Sequence, residues 1–254
     1  HPMTTPLNNK KGTTLVELMV CLVLLALFGV AAVTLVKPSA EAYISVQQLT
    51  RAQNLADALT ETIRGELANA DGTLAILNAS ADDATADTVL QAATRATEGS
   101  ALRFTVTTDY FEVLDAGYVP KLETTVKNAD KTTTTKTLYD PADTSFAALD
   151  GYLHMRFYRT AANPPDETLT AKYPIYAYTT AYPNGDYMGL TISKLKFYAR
   201  GWEHQTVTTS ENKKVDKICL TSLTMQLTIS DPKTGNDIYT QTAIIPLPGS
   251  PEFN

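Results

Sequence analysis

A lysine pair, a glycine and a glutamate near the N-terminus have residue types and a spacing that suggest chemistry. Lys10 and Lys11 precede Gly12, and Glu17 lies four residues after Thr13. If the peptide bond after Gly12 is cut, Thr13 gains an α-amino group one helical turn from the Glu17 carboxylate. That ammonium group can pair with Glu17 of the same chain or, better, of a neighbouring copy. Pairing between copies would set the axial register of packed helices.

The segment that follows Glu17 is long and apolar enough to cross a membrane. Leu18 to Val36 contains no charged residue. As a helix it spans about 28 Å, close to the hydrocarbon thickness of a bilayer. Lys10 and Lys11 favour a cytoplasmic N-terminus with the rest of the chain exported. A carboxylate at membrane depth costs up to about a few kcal/mol, so Glu17 is a candidate functional residue.

Three other interpretations of the apolar segment stay open. A secretory signal peptide has about 7–15 apolar residues and a small-residue cleavage site, for which Ala40-Glu41-Ala42 is available. An ordinary single-pass anchor fits the length but gives no reason for Glu17. A buried core helix is rarely apolar on every face over this length. We therefore favour a membrane helix with a functional carboxylate.

These residues resemble the signal of a known family. Lys-Lys-Gly, then Thr13-Thr14-Leu15-Val16-Glu17 and the apolar helix, are similar to the class III signal of type IV prepilins and type II secretion pseudopilins. The resemblance covers Lys10 to Val36. It implies cleavage after Gly12 by a prepilin peptidase, methylation of the new amine on Thr13, and polymerisation from the inner membrane by an assembly ATPase. The implied partners are other pilin or pseudopilin subunits, and no cofactor is implied.

The segment departs from the family pattern at two positions. The mature chain usually begins with phenylalanine, whereas here it would begin with Thr13. Many major pilins have proline at the position of Thr34, and here the proline comes later, at Pro38. Pro38 removes the hydrogen bond to the Thr34 carbonyl group. With Gly29 upstream, we predict that Gly29–Pro38 is the weakest stretch of the helix and unwinds on packing into a filament.

Beyond Pro38 the apolar pattern becomes one-sided. Apolar residues at intervals of three and four predict an amphipathic helix that docks against a sheet; they are Leu49, Ala52, Leu55, Leu59, Ile63 and Leu67. The pattern ends at Ala70, and Gly72 suits a left-handed helix cap. The predicted parts of the chain are a leader (1–12), one long helix (13–72) with a transmembrane part (18–36), and an exported β-rich head (73–254).

The head sequence has a period of two, after a segment at Asp83–Ala96 that predicts a short helix. Apolar and polar residues alternate at 102–107, 153–158 and 223–229. Each segment predicts a half-buried strand with one polar face, and His154 lies on such a face. Turn signals occur at Asn184-Gly185, Asp231-Pro232 and Gly235-Asn236, and the tract Lys131–Lys136 predicts an exposed hairpin tip. The predicted fold class is α+β, type IV pilin-like, with the long helix packed on an antiparallel sheet.

The last two predicted strands carry a second, looser resemblance. The segments near Leu220–Ile229 and Ile238–Leu247 resemble the closing hairpin of the larger minor pseudopilins, the J-type subunits, and of their minor-pilin relatives. The tip subunit that begins the secretion pseudopilus characteristically lacks the glutamate, so Glu17 argues against that role. The head is larger than a major pilin usually needs. The size of the head favours a minor subunit near the tip, expected in the bacterial cytoplasmic membrane and then in an extracytoplasmic filament.

Other chemistry has little support in the sequence. The chain contains no phosphate-binding glycine loop, CxxC pair, HExxH or GxSxG motif. Apart from His1, the chain has only two histidines, His154 and His204, and with so little general-base material an enzyme is not expected. The formal net charge of −6 gives no broad basic surface for nucleic acid. Cys21 lies in the apolar run and Cys219 in the distal β region, so no disulfide is expected.

Two weaker sites and one alternative function complete the predictions. Asp231 and Asp237 bracket a turn in which some pseudopilins bind calcium, although a plain turn is the favoured interpretation. A tyrosine-rich stretch at 173–187 is either an adhesive face or ordinary strand sequence. The alternative function is an exported adhesin or binding protein that does not polymerise. His1-Pro2 and 249–254 resemble cloning residues, so no functional role is expected of them.

Overall fold

The computed structural model describes residues 14–77, 96–107, 110–117, 119, 121–146, 150–164 and 166–253. The chain forms two compact units, divided between Gln48 and Leu49. The predicted helix at Asp83–Ala96 falls outside the described residues except for Ala96. The predicted boundary between helix and head at 72 differs from the division between the units. The reason is that the second half of the long helix packs with the sheet.

The long helix, α1, extends from Leu15 to Leu67. It ends three residues before the predicted end at Ala70. The next two hydrogen bonds join residues three apart instead of four: Asn69 N–H donates to Glu66 O (3.1 Å) and Ala70 N–H to Leu67 O (3.2 Å). The prediction that Gly72 is a left-handed cap is wrong, since Gly72 is not among the residues with positive φ. Its carbonyl group instead accepts a hydrogen bond from Glu252 N–H (2.8 Å).

The second half of α1 packs as the amphipathic pattern predicts. Five of the six stripe residues are buried, and Leu49 is the exception at 38% exposed; the buried five are Ala52, Leu55, Leu59, Ile63 and Leu67. Ala56 and Thr60 are also buried, which widens the stripe. The docked face stabilises this part of the helix through burial of apolar surface.

Twelve strands are found in the described residues. They are β1 (Thr73–Leu77), β2 (Glu98–Gly99), β3 (Ala101–Thr107), β4 (Tyr110–Asp115), β5 (Leu122–Lys127), β6 (Thr133–Tyr139), β7 (His154–Arg159), β8 (Ile175–Thr180), β9 (Thr191–Thr208), β10 (Lys214–Asp231), β11 (Asn236–Pro246) and β12 (Glu252–Phe253). A short helix, α2 (Leu169–Lys172), precedes β8, and a 3₁₀ turn (Asn184–Tyr187) precedes β9. The α+β prediction is therefore confirmed.

Ten of these strands form one sheet. Its order is β2-β9-β10-β12-β1-β3-β4-β7-β8, with β11 also paired to β10. All pairs are antiparallel except β1 with β12. Strand β2 stands first in this order, and β3 follows after four other strands. Only Ser100 separates the two strands in the sequence, so the chain connects them directly. Gly99 is required there, since a Cβ would overlap the Leu77 carbonyl group.

The sheet is covered on both faces where β4 and β7 lie. One face packs on α1. The other face packs against the separate β5–β6 hairpin, through Leu122 and Tyr139. The prediction of a polar, solvent-facing side on β7 is therefore wrong, because His154 and Arg156 are both buried beneath this second layer.

The turn predictions agree with the structure in most details. Gly235 has φ +70° and closes the turn between β10 and β11, with its N–H donating to Asp231 O (2.8 Å). Residues 133–136 of the predicted hairpin tip instead belong to exposed strand β6, and the tip itself lies at 128–132. His204 lies in β9 opposite Ile218 of β10.

The C-terminal residues that resembled a vector linker are part of the fold. Phe253 is buried in the main core, and its strand β12 lies between β1 and β10. Leu220 N–H donates to Pro251 O (2.9 Å), and Lys217 forms an ion pair with Glu252. These residues resembled a linker because glycine, serine and proline are typical of linkers. The pairing of β12 with β1 and β10 depends on residues distant in the sequence, so the local composition does not predict it.

We expect Gly249→Ala to destabilise the head. A Cβ at this position would overlap the carbonyl oxygen of Ala70, and forced repacking of this kind costs about 1–3 kcal/mol. Urea unfolding of the full chain in detergent measures the change. Gly185→Ala is the matched control, because a Cβ there meets no atom within 4 Å. Equal stabilities of the two variants would show that the C-terminal segment does not pack on Ala70.

Candidate functional site

The first turn of α1 holds Glu17 in a reciprocal set of hydrogen bonds. Thr14 immediately precedes the helix, and its N–H and Oγ1–H donate to Glu17 Oε2 at 2.9 and 3.1 Å. Glu17 N–H in turn donates to Thr14 Oγ1 at 3.3 Å. This is a capping box, formed by threonine at the N-cap and glutamate three residues later. The carboxylate also lies at the positive end of the helix dipole, where negative charge is stabilised.

The capping box uses one oxygen of the carboxylate. Both donated bonds reach Oε2, and within the described residues Oε1 receives none. Glu17 is exposed. The free oxygen can therefore accept a hydrogen bond or ion pair from outside the turn. Gly12 and Thr13, the predicted cleavage and methylation positions, lie outside the described residues.

The surface around Glu17 is apolar on every side. Within the unit that ends at Gln48, the large apolar side chains of 15–36 are all about half exposed or more, from 49% at Leu24 to 78% at Leu15. By length and composition, α1 is long and apolar enough to cross a membrane. Transfer of this surface into lipid removes it from water and stabilises the inserted state.

The helix continues through the predicted weak stretch. Pro38 lies inside α1, where it has no N–H to donate to the Thr34 carbonyl group. Two side chains bond to carbonyl groups nearby: Thr34 Oγ1–H donates to Ala31 O (2.8 Å) and Ser39 Oγ–H to Leu35 O (2.8 Å). No atom lies within 4 Å of a Cβ placed on Gly29. Unwinding at Gly29–Pro38 on assembly stays a prediction.

Asp231 and Asp237 take part in ordinary contacts at the β10–β11 turn. Asp231 Oδ1 accepts a hydrogen bond from Lys233 N–H (2.9 Å). Asp237 Oδ1 accepts one from Ser193 Oγ–H of β9 (2.7 Å). In the described part of the chain, no three metal-binding side chains gather in one place. The geometry matches the plain-turn interpretation.

The tyrosines of the 173–187 stretch pack against other side chains of the head. Tyr187 is buried and its Oη accepts a hydrogen bond from Leu153 N–H (2.9 Å). Tyr182 Oη lies 3.0 Å from Thr62 Oγ1 of α1, and Tyr173 stacks edge-on against Phe111. These contacts give most of the stretch a structural role. Tyr176, 49% exposed, is the member with most surface available.

Sequence reasoning missed a charged cluster beneath the β5–β6 hairpin. Asp115 forms an ion pair with Arg156 and lies 2.8 Å from His154 Nδ1. His154 Nε2–H donates to Gly117 O (3.0 Å). Burial lowers the pKa of His154, and Arg156 adds to the lowering, whereas Asp115 opposes it. The only sequence signal was that Arg156 follows His154 by two residues in a predicted strand. The alternation of apolar and polar residues predicted that both side chains face solvent.

Comparison with known proteins bears on the N-terminal segment. The family model described as the prokaryotic N-terminal methylation motif matches residues 7–33. No curated protein and no solved structure gives a significant match. The matched residues include the lysine pair, Gly12, Thr13 and the capping box at Glu17. The chain therefore carries the prokaryotic N-terminal methylation motif, which is typical of type IV prepilin-like proteins.

Proposed function

We propose that this protein is a minor pilin or pseudopilin, a structural subunit of a type IV pilus or type II secretion-type filament. It is cleaved after Gly12, methylated at Thr13 and assembled through α1. One observation carries the proposal: the part of α1 at 18–36 is apolar and exposed on every side, and a carboxylate, Glu17, immediately precedes it in the first turn of the helix. The methylation motif over 7–33 supports the same interpretation.

The role of Glu17 follows from the cost of placing charge in lipid. An ionised side chain near the bilayer centre costs up to about a few kcal/mol, and the capping box satisfies only Oε2. In the assembled state, the ammonium group of Thr13 from a neighbouring subunit pairs with Oε1. That pairing offsets the cost and fixes the axial register between neighbouring helices.

The remaining features define partners and location. Lys10 and Lys11 keep the N-terminus in the bacterial cytoplasm, and the head lies on the opposite side of the cytoplasmic membrane. The partners are the prepilin peptidase, the inner-membrane assembly platform and other pilin or pseudopilin subunits. The large ten-stranded sheet supports a minor rather than a major subunit, since repeated packing along a filament favours a smaller head.

Processing after Gly12 is tested by the mass of the mature N-terminus. We expect co-expression with a prepilin peptidase to yield a chain that begins at Thr13 and carries one methyl group. Gly12→Val should block cleavage, because a branched side chain replaces the smallest residue next to the scissile bond. The control is Gly29→Val, which places the same substitution in an open part of the helix surface and should be cleaved normally.

Two outcomes contradict the proposal. A mature chain that begins near Tyr43 indicates a secreted protein that has lost its apolar segment. A chain that keeps residues before Gly12 in the presence of an active peptidase indicates an ordinary membrane anchor.

A further inference from the structure

A pocket of about 240 Å³ lies where the last turn of α1 meets β3, β4, β7 and β8. Its lining includes Glu66, Val106, Tyr110, Glu112, Phe157 and Tyr176. All of these residues belong to the unit that begins at Leu49. The volume is smaller than the roughly 300–1,000 Å³ of sites for drug-sized ligands, and it suits a group the size of one side chain.

Glu112 is an unusual residue for the floor of such a pocket. Its side chain is 1% exposed, and in the described part of the chain its Oε1 has no hydrogen-bond partner. The register places it between Phe104 of β3 and Phe157 of β7. A buried polar atom without a partner costs about 1–3 kcal/mol, more for a charged group. Because Glu112 also lines the pocket, its unpaired carboxyl oxygen indicates a missing donor.

The electrostatics of the pocket favour a cation. Burial raises the pKa of Glu112 to about 8, and the nearby Glu66 carboxylate adds to the effect. Burial also raises the pKa of Glu66. No ion pair is formed by either residue within the described ranges. A bound cation would bring both pKa values down by stabilising the ionised forms.

The aromatic side chains that line the pocket favour an organic cation over a metal ion. Tyr110 and Tyr176 meet edge to face with ring centroids 5.6 Å apart, and Phe157 lies 6.2 Å from Tyr176. Aromatic faces attract ammonium groups and also pack against methylene carbons. Calcium takes about six to eight oxygen ligands, whereas this pocket offers two carboxyl groups. One of the aromatic rings already contacts a cation: Arg159 Cζ lies 5.1 Å from the ring centroid of Tyr110.

We propose that the Glu112 pocket binds a primary alkylammonium group, such as the side chain of a lysine from a partner protein. The ammonium group donates hydrogen bonds to Glu112 and Glu66, and its methylene stem lies against Tyr110, Phe157 and Tyr176. The site is independent of the N-terminal motif and of the function proposed from it.

Binding is tested with Nα-acetyl-lysine N-methylamide and the full chain in detergent micelles. We expect saturable binding by calorimetry. The uncharged analogue Nα-acetyl-norleucine N-methylamide should bind at least about tenfold more weakly, since a hydrogen bond to a charged group is lost. Equal binding of the two compounds, or no binding of the lysine compound, overturns the proposal.

Substitutions locate the site. Glu112→Gln keeps the shape of the protonated residue and should weaken binding of the lysine compound by about tenfold or more. Glu123→Gln, on the exposed β5–β6 hairpin, is the matched control and should have no effect. Tyr176→Leu removes a wall at an exposed position and should weaken binding without unfolding the sheet. Binding that survives both Glu112→Gln and Tyr176→Leu places the ligand elsewhere and overturns the proposal.

The source of the amine is distinguished by a second compound. n-Butylammonium carries the same charge and stem without a peptide backbone. Tighter binding of the lysine compound indicates a lysine side chain of a partner protein. Equal or tighter binding of n-butylammonium indicates a free small amine instead, which supports the same pocket chemistry but not the partner.

The pH dependence gives an independent test. Among charged and titratable groups, Glu66 on α1, Tyr110 on β4 and Tyr176 on β8 line the pocket with Glu112, and Arg159 on β7 packs on Tyr110. Affinity for the lysine compound should rise as the pH increases through about 8, the pKa of Glu112, because the carboxylate ionises. Affinity should fall again near the amine pKa of about 10.4. Without ligand, the raised pKa of the folded state means that stability is lost as the pH rises toward 8, and Glu112→Gln removes this loss.

Discussion

We expect Glu17→Gln to leave the protein in the membrane and to reduce its incorporation into filaments by at least about a hundredfold. Glutamine retains the capping box, since the motif accepts either residue at this position, but it removes the negative charge. Loss of one partner from an ion pair in a medium of low dielectric constant costs about 3–5 kcal/mol. The measurement compares the sheared filament fraction with the membrane fraction by immunoblot. Glu17→Ala removes both the cap and the charge and should assemble no better.

Thr14→Ala is the matched control because it removes the cap and keeps the charge. Loss of an N-cap costs the helix about 1 kcal/mol, and the Glu17 carboxylate stays free to pair with a neighbouring amine. We expect this variant to assemble at close to the normal level. If Thr14→Ala fails and Glu17→Gln assembles, Glu17 acts only as a helix cap and the pairing between subunits is wrong.

The helix and its two halves were predictable from sequence because both depend on local periodicity. The one-sided apolar stripe beyond Pro38 begins at Leu49, which is also the first residue of the second compact unit. The closing hairpin of β10 and β11 was predictable for a similar reason, since Gly235 marks its turn. Long-range order was not predictable: β12 depends on β1 and β10, which lie far away in the chain.

The candidate sites differ in the same way: those formed by residues close together in the sequence were predictable, and those formed by residues far apart were not. The spacing of Gly12, Thr13 and Glu17 is a local pattern and was predicted. The capping box is equally local, since threonine at 14 and glutamate at 17 have the spacing that characterises this motif. Glu112 carried one faint signal, an acid between two apolar neighbours, Phe111 and Val113, in the middle of β4. Its position in a pocket depends on the helix end at Glu66, which no local pattern gives.

The second large effect is expected in the buried cluster beneath the β5–β6 hairpin. We expect Asp115→Ala to lower the free energy of unfolding of the head by about 3–5 kcal/mol, because Arg156 then carries a buried charge without a counter-ion. His154 loses a contact at the same time. Urea unfolding of the full chain in detergent, followed by near-ultraviolet circular dichroism of the head tyrosines, measures the change.

The control and a double variant separate this charge effect from simple truncation. Asp216→Ala removes an exposed aspartate that accepts a hydrogen bond from Thr206 (2.8 Å), and it should change stability by no more than about 0.5 kcal/mol. Asp115→Ala combined with Arg156→Met should lose less than the sum of the two single variants, since neither charge is then left alone. Additive losses would show that the two residues stabilise the head independently.

Because the cluster joins β4 to β7 beneath the β5–β6 hairpin, its loss should also loosen the packing of that hairpin. We expect faster amide hydrogen exchange in Leu122–Lys127 of the Asp115→Ala variant.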